Sequence, residues 1–489
     1  MPIDEMDEEL VANGVSAATG AVLPQPDPAA VERLIRGEGS ASLTVVDNRI
    51  KKARTVTVDG VELESFGIDH TLDPEDLAQA GWGVIFAADI GDDVKRALAP
   101  LLEKRKAQAG KHYHAFEDVR PDDDAVAWLG RQGYKPGLDI VDPEKGVPYY
   151  LLIVGSPASI PMSFQYVLDT YWAVGRIFFP ACDDYAQYAR SVVAYEEAER
   201  PPQYVKRAVL FAPEHAFDAA TRMFTRDVAK PFLDEGGARP LGRRQKFHVQ
   251  PLIGDDATKE KLVTALRGGG DDGKAAPALL FSGGHGMAFD RGHELQVEHQ
   301  GALVCQDWKP GHPVQPTDYF SASDVKDMNL SGMIHFMFAC YGGGWEMYDT
   351  FRDENGRAPQ IADAPRIARL PQAMLAHPEG GALAVVAHVD RAWSYSFRTA
   401  SGGIQTTGMR EVLDLILMGR RVGNALDRFN LKWAVLSAPL ADAMRDFERG
   451  TTSAQQLAKL WIARDDARNY VVIGDPAVRL RVENMRPSV

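Results

Sequence analysis

The sequence predicts an α/β fold: a three-layer α/β/α sandwich of two side-by-side subdomains with mostly parallel sheets, preceded by an N-terminal extension. Three observations predict it. Runs such as 83–88 (GVIFAA) and 149–154 (YYLLIV) are apolar on both faces, as strands of a parallel sheet covered on both sides must be. They alternate with stretches of helical period, for example 91–107, where Val94, Leu98 and Leu101 or Leu102 share one face. Two further apolar runs, 279–286 (LLFSGGHG) and 335–344 (HFMFACYGGG), stop abruptly at a reactive side chain and pass into glycine.

Taken in order, residues 1–78 form the N-terminal extension or a pro-segment. They are rich in Asp, Glu, Ala, Val and Pro, with turn-like breaks at 24–28, a short helix expected near 29–36 and small strands near 42–46 and 55–64. Residues 79–204 form a first α/β subdomain, with strands at 83–88 and 149–154 and a helix near 123–133 between them. The pattern restarts at 205, and 205–482 form a second subdomain. Its strands are expected at 205–211, 246–252, 278–282, 333–338, 382–387 and 470–473, with helices near 219–235, 257–267, 364–376, 408–418, 423–436 and 453–465. Two separate sheets are expected, followed by a tail at 483–489. Residues 268–277 (GGGDDGKAAP) read as a flexible loop, and 287–320 as a long excursion of the functional or mobile kind.

The composition narrows the function. With 489 residues, 45% hydrophobic and 25% charged, the chain is ordinary globular protein with room for two or three cores. The net charge of −14, without any basic run, points away from nucleic acid. No apolar run is long enough to span a bilayer, and the acidic start lacks the features of a signal peptide, so no membrane association is expected. Three widely spaced cysteines, Cys182, Cys305 and Cys340, make neither a disulfide framework nor a zinc-ligand pair. The expectation is a cytoplasmic protein with a free thiol, no metal and no cofactor. His293, His299 and His312 are spaced too irregularly for a metal site, and Cys182 and Cys305 are read as bystanders.

The glycines make sense chemically. A thiol nucleophile needs an acid/base partner, and strand tips bearing His285 and Cys340 can supply the pair from one sheet edge. A tetrahedral intermediate also needs N–H donors aimed at its oxyanion. The Gly286 and Cys340 amides are the candidates, with glycine at 286 free to adopt positive φ. Gly342 to Gly344 let the chain leave without crowding a substrate, and Ser282 and Tyr341 stand where they can orient polar groups.

An apolar strand ending in His-Gly, followed by one ending in Ala-Cys, resembles the caspase–gingipain–legumain group of cysteine peptidases. The gingipain-like family is the closer match, over about residues 80–482. Tyr150–Gly155 with Ile160-Pro161, and Ala173–Ile177, are similar to the family's non-catalytic subdomain. Gly381–Ala387 with Trp393 is similar to the strand and tryptophan that wall its primary specificity pocket, and Gly474-Asp475-Pro476 to its C-terminal motif. The resemblance implies a caspase-like fold, His285 as general acid/base, Cys340 as nucleophile, and Gly286 with Cys340 as oxyanion donors. It also implies Glu214, after the 205–211 strand, as the residue orienting the imidazole.

The family's pocket aspartate falls in 215–222 (HAFDAATR), where spacing leaves Asp218 and Thr221 open; Asp390 is a further candidate for a cationic P1 side chain. Arg391 and Arg222 argue instead for an acidic P1, and the balance favours Arg or Lys. The resulting expectation is an endopeptidase acting on a protein or peptide substrate. Control by a protein activator or inhibitor, or by self-cleavage in loops bearing Arg267, Lys274 or Arg291, fits an intracellular protease. The alternatives are an inactive caspase-like binding scaffold, or a peptide ligase or transpeptidase with the same dyad.

Overall fold

The computed structural model describes residues 11–24, 54–58, 61–65 and 67–487, apart from 121–122, 136–138, 203–204, 235–239, 269–275, 352–356 and 400. The expected elements at 29–36 and 42–46 and most of the 268–277 loop, with Lys274, lie outside the described residues. The expected strand at 55–64 is a hairpin of Arg54–Val58 and Val61–Ser65.

One eleven-stranded sheet runs through the molecule. From one edge its strands are Tyr113–Phe116, Trp82–Phe86, Tyr150–Val154, Ala173–Ile177, Tyr470–Gly474, Ala384–His388, Ile334–Phe338, Leu279–Gly283 and Val205–Ala212. His248–Ile253 and the short Arg486–Pro487 both pair with the last of these. All the pairings are parallel except that between Tyr470–Gly474 and Ala384–His388. Helices pack on both faces: Ala99–Ala109 lies on the Trp82–Phe86 strand, and Val422–Glu448 on Ala173–Ile177 and Tyr470–Gly474. Among the described residues no helix is long and apolar enough to cross a membrane.

The two expected sheets are thus one. The join is made by the last long strand, which pairs Val472 with Gly175 and Ile473 with Arg176. A Cβ at Gly175 would come within 2.2 Å of the Gly474 carbonyl oxygen, so this close approach requires glycine. The Gly474-Asp475-Pro476 turn tightens the join, because buried Asp475 accepts from Arg105 Nε at 2.7 Å and Trp82 Nε1 at 3.0 Å. Pairing between segments three hundred residues apart leaves no local trace, so periodicity could not reveal it.

Two helices also differ from expectation. The 91–107 helix is broken into Asp92–Ala97 and Ala99–Ala109 at Leu98, just before Pro100. The 423–436 helix instead runs from Val422 to Glu448, straight through Pro439. The carbonyl deprived of its partner there belongs to Val435, which is exposed, so water can replace the missing N–H.

Candidate active site

The His strand (Leu279–Gly283) and the Cys strand (Ile334–Phe338) lie side by side, parallel and wholly buried, with Gly283 opposite Phe338. The Gly284 N–H still bonds the Phe338 carbonyl at 3.1 Å, so the chains that carry on to His285 and Cys340 leave the sheet next to each other. Both residues lie just beyond their strands' C-terminal ends, where open parallel sheets build their sites.

The imidazole is fixed by a carboxylate. His285 Nε2 lies 2.8 Å from Asp218 Oδ2, and both side chains are buried. Asp218 also caps the Ala219–Phe224 helix, accepting from the Thr221 N–H at 2.8 Å. Burial by itself would raise this carboxyl. The charge and hydrogen bond of His285, with those from Thr221, outweigh it and hold Asp218 well below the usual carboxylate range. The Trp308 ring stands edge-on to His285, with centroids 5.7 Å apart. His215 packs against Trp308 as well, and burial, then the neighbouring His285, pushes it down to about 4. With Nε2 committed to Asp218, the other ring nitrogen of His285 is buried and has no hydrogen-bond partner among the described residues. It is the nitrogen free to exchange a proton.

The carboxylate on the imidazole is therefore not the one that the resemblance implied. Glu214 turns outward to pair with Lys230 at 2.9 Å, while its backbone is held by Gln306. Asp218, expected as a pocket residue for a cationic P1 side chain, is committed to His285 instead. Asp218 lies four positions after Glu214, and the tight turn before the helix carries it inward.

Cys340 is fully buried, and burial pushes its thiol up to about 12. Its sulfur accepts from the Ala392 N–H at 3.2 Å and lies 3.6 Å from the Ala392 carbonyl. Backbone strain surrounds it: Tyr341 and Asp390 both sit at φ 60, and the Tyr341 N–H donates to the Asp390 carbonyl at 2.6 Å. Gly286 does not need positive φ. It is needed for close approach, since a Cβ there would stand 1.8 Å from the Cys340 carbonyl oxygen. The Gly286 and Cys340 amides converge on one acceptor, at 3.0 and 2.9 Å. That acceptor is the Asn13 carbonyl oxygen, contributed by the N-terminal extension.

Residues 11–24 fill the cleft. The Asn13 N–H donates to Ala392 O at 2.8 Å, the Ser394 N–H donates to Val11 O at 3.0 Å, and Ala12 pairs antiparallel with Trp393. Gly14–Ser16 then run parallel to Gly286–Ala288, in a small sheet completed by Leu303–Val304 and Tyr319–Phe320. The 287–320 excursion is thus partly a platform for this segment, with Val15, Ala17, Met287, Val304, Trp308 and Val314 in one apolar cluster. No sequence pattern places 11–24 in the site. Its one signal is the string Val-Ala-Asn-Gly-Val-Ser, apolar enough to pair as a strand but too short to stand out.

Trp393 lines a pocket beside Cys340 with Tyr341, Phe351, Asp390, Arg391 and Asp466. Asp390 is half-buried, accepts from the Glu346 N–H at 3.1 Å, and is raised to about 6 by desolvation. Arg391 is paired with Asp349. Ser282 bonds His335 at 2.8 Å within the sheet and takes no part in the site, and Arg222 bonds the Asp218 carbonyl at 3.2 Å.

A buried imidazole–carboxylate pair, a buried thiol past the end of the neighbouring strand and two convergent amides gather at one end of the sheet, and the family defines a cysteine peptidase. The chain belongs to peptidase family C25, the gingipain family, whose model matches residues 139–481. Among curated proteins none matches. Of the solved structures, one described as "Structure of Protease" is 15% identical, covering 82% of this chain and 78% of that one, with a TM-score of 0.48. The complex of Porphyromonas gingivalis RgpB pro- and mature domains is 13% identical, covering 82% and 80%, with a TM-score of 0.40.

Proposed function

We propose that the chain is a cysteine endopeptidase with Cys340 as nucleophile, His285 as general acid/base and Asp218 as the group orienting the imidazole. The observation that carries this reading is the convergence of the Gly286 and Cys340 amides on a single peptide carbonyl beside the Cys340 sulfur. A carbonyl held by two N–H donors is polarised for attack, and the same donors bond more strongly to the oxyanion that follows. The free nitrogen of His285 takes the thiol proton and returns it to the leaving amine. Asp218 fixes the tautomer and stabilises the imidazolium. An extended peptide pairing with Ala392–Ser394 is the mode expected of a substrate adding a strand to an exposed edge.

With Asp218 committed to His285, the case for a basic P1 residue rests on Asp390 alone. Peptides varied only at P1 separate Arg and Lys from uncharged residues. The central test is Cys340→Ala, expected to abolish hydrolysis of any cleavable peptide without changing the thermal unfolding midpoint by more than a few degrees. Undiminished hydrolysis would remove Cys340 from the mechanism.

A further inference from the structure

We infer that the bond between Asn13 and Gly14 is a substrate of this chain's own site, and that the site takes peptides with an uncharged side chain at P1 and glycine at P1′. This rests on the peptidase reading of Cys340 and His285. The Asn13 carbonyl is the group held by both amides, so Asn13 occupies P1, with Ala12 and Val11 at P2 and P3 in strand pairing with Trp393 and Ser394.

Two features set the side-chain class. The Asn13 side chain is fully buried, and neither of its amide atoms has a hydrogen-bond partner among the described residues. A lysine, arginine or aspartate there would bury a charge in a place that gives even the amide no hydrogen-bond partner, a heavier penalty than an uncharged side chain meets. At the next position a Cβ would lie 2.8 Å from the Cys340 sulfur and 2.9 Å from its Cβ, so P1′ admits glycine alone without a shift.

The reaction balances with water as co-reactant. The Cys340 thiol gives its proton to His285, and the sulfur bonds to the Asn13 carbonyl carbon. The Asn13–Gly14 C–N bond breaks, and His285 returns the proton to the Gly14 nitrogen. Water, deprotonated by His285, then hydrolyses the thioester, giving an Asn13 carboxylate and a free Cys340 thiol. The two sides of the cut are held unequally. Residues 14–17 remain anchored by their pairing with 286–288 and by the apolar cluster around Val15, whereas 11–13 keep mainly the strand bonds to 392–394. Cleavage thus frees the P1 side of the cleft and lifts the Asn13 half of the cover from Cys340.

The experiment follows intact mass and N-terminal sequence of the purified full chain over time, beside Cys340→Ala, Asn13→Asp and Asn13→Lys, with hydrolysis of a P1-varied peptide set in parallel. The expected result is a new N-terminus at Gly14 in the unmodified chain and none in Cys340→Ala. Asn13→Asp and Asn13→Lys should process at least about tenfold more slowly. Cleavage in Cys340→Ala as well would assign the cut to spontaneous Asn-Gly chemistry and overturn the inference. So would Asn13→Lys processing as fast as the natural residue. An intact Asn13–Gly14 bond in a preparation that hydrolyses added peptides would overturn the inference and leave the peptidase reading standing. An intact bond with no peptide hydrolysis, after the covering segment has been removed through an engineered site for an unrelated protease, would sink both.

Discussion

Cys305 and Cys340 are both free, both fully buried, and both have burial pushing the thiol up. The difference lies in what buries them. Cys305 is enclosed by its own body: its N–H donates to Asp318 and its sulfur lies 3.6 Å from Leu303 O, inside the structure raised by the 287–320 excursion. Cys340 is roofed by Asn13 and Gly14, a segment from the far end of the chain that holds on through strand pairing. Burial alone therefore does not separate a structural thiol from a nucleophile. What sets Cys340 apart is a cover drawn from a distant segment, two aimed amides and an imidazole carried by the adjacent strand.

The largest effect that bears on this contrast comes from deleting each sulfur. Cys340→Ala is expected to lower peptide hydrolysis by at least ~10⁴-fold, as removal of a nucleophile does elsewhere. Cys305→Ala is expected to leave kcat/KM within about twofold and to cost about 1 kcal/mol of stability for the lost packing. Steady-state hydrolysis and denaturant melts of the two variants check both. Comparable losses of activity would erase the distinction. Next come the two carboxylates. Asp218→Asn keeps the helix cap but offers His285 the wrong partner, so kcat should fall about 10²–10⁴-fold with little change in KM. Glu214→Gln breaks a half-exposed pair with Lys230 and should change neither activity nor stability measurably.

That second pair shows how far the sequence could be read. Apolar runs and glycines suffice to place Leu279–Gly283 and Ile334–Phe338 as buried strands, because a fully covered parallel strand advertises itself in composition. They also suffice to put His285 and Cys340 at adjacent strand ends. Choosing Asp218 over Glu214 needs the path of a four-residue turn, which periodicity does not encode. The reach of Asn13 into the cleft is harder still, since its partners are 273 residues or more downstream. Likewise, the union of the two sheets depends on Tyr470–Gly474 finding Ala173–Ile177. Local chemistry was legible, and long-range pairing was not.

A smaller effect sharpens the contrast through pH. With its thiol near 12, Cys340 in the uncut chain carries thiolate in only about one molecule in 10⁴ at pH 8. Alkylation should be slow there and rise about tenfold per pH unit. Once residues 11–13 have left, solvent reaches the sulfur and the burial that favours the neutral thiol is relieved. The labelling rate at fixed pH should then increase at least about tenfold, as read by peptide mass spectrometry, while that of Cys305 stays constant. Equal acceleration at both cysteines would mean that processing loosens the whole body rather than lifting one cover.

The smallest effect is steric. Gly14→Ala places a methyl group 2.8 Å from the Cys340 sulfur and 2.5 Å from Leu23 Cδ1. The Leu23 tip can swing aside, but Cys340 Cβ, at 2.9 Å, is tied to a strand end held on both sides by the sheet. The segment must therefore ride outward by a few tenths of an ångström, drawing the Asn13 carbonyl off its two donors. Overpacking at the low end of its range, about 1 kcal/mol, corresponds to roughly a fivefold loss of docking. Self-cleavage should slow by about that factor. Hydrolysis of an added peptide by the uncut chain should rise in the same proportion, because the cover that blocks the cleft is the one weakened. Cys305, whose enclosure does not involve residue 14, should label at an unchanged rate. If both activities fell together, Gly14 would be supporting the site itself instead of filling it, and Cys340 would belong with Cys305 as a thiol enclosed for good.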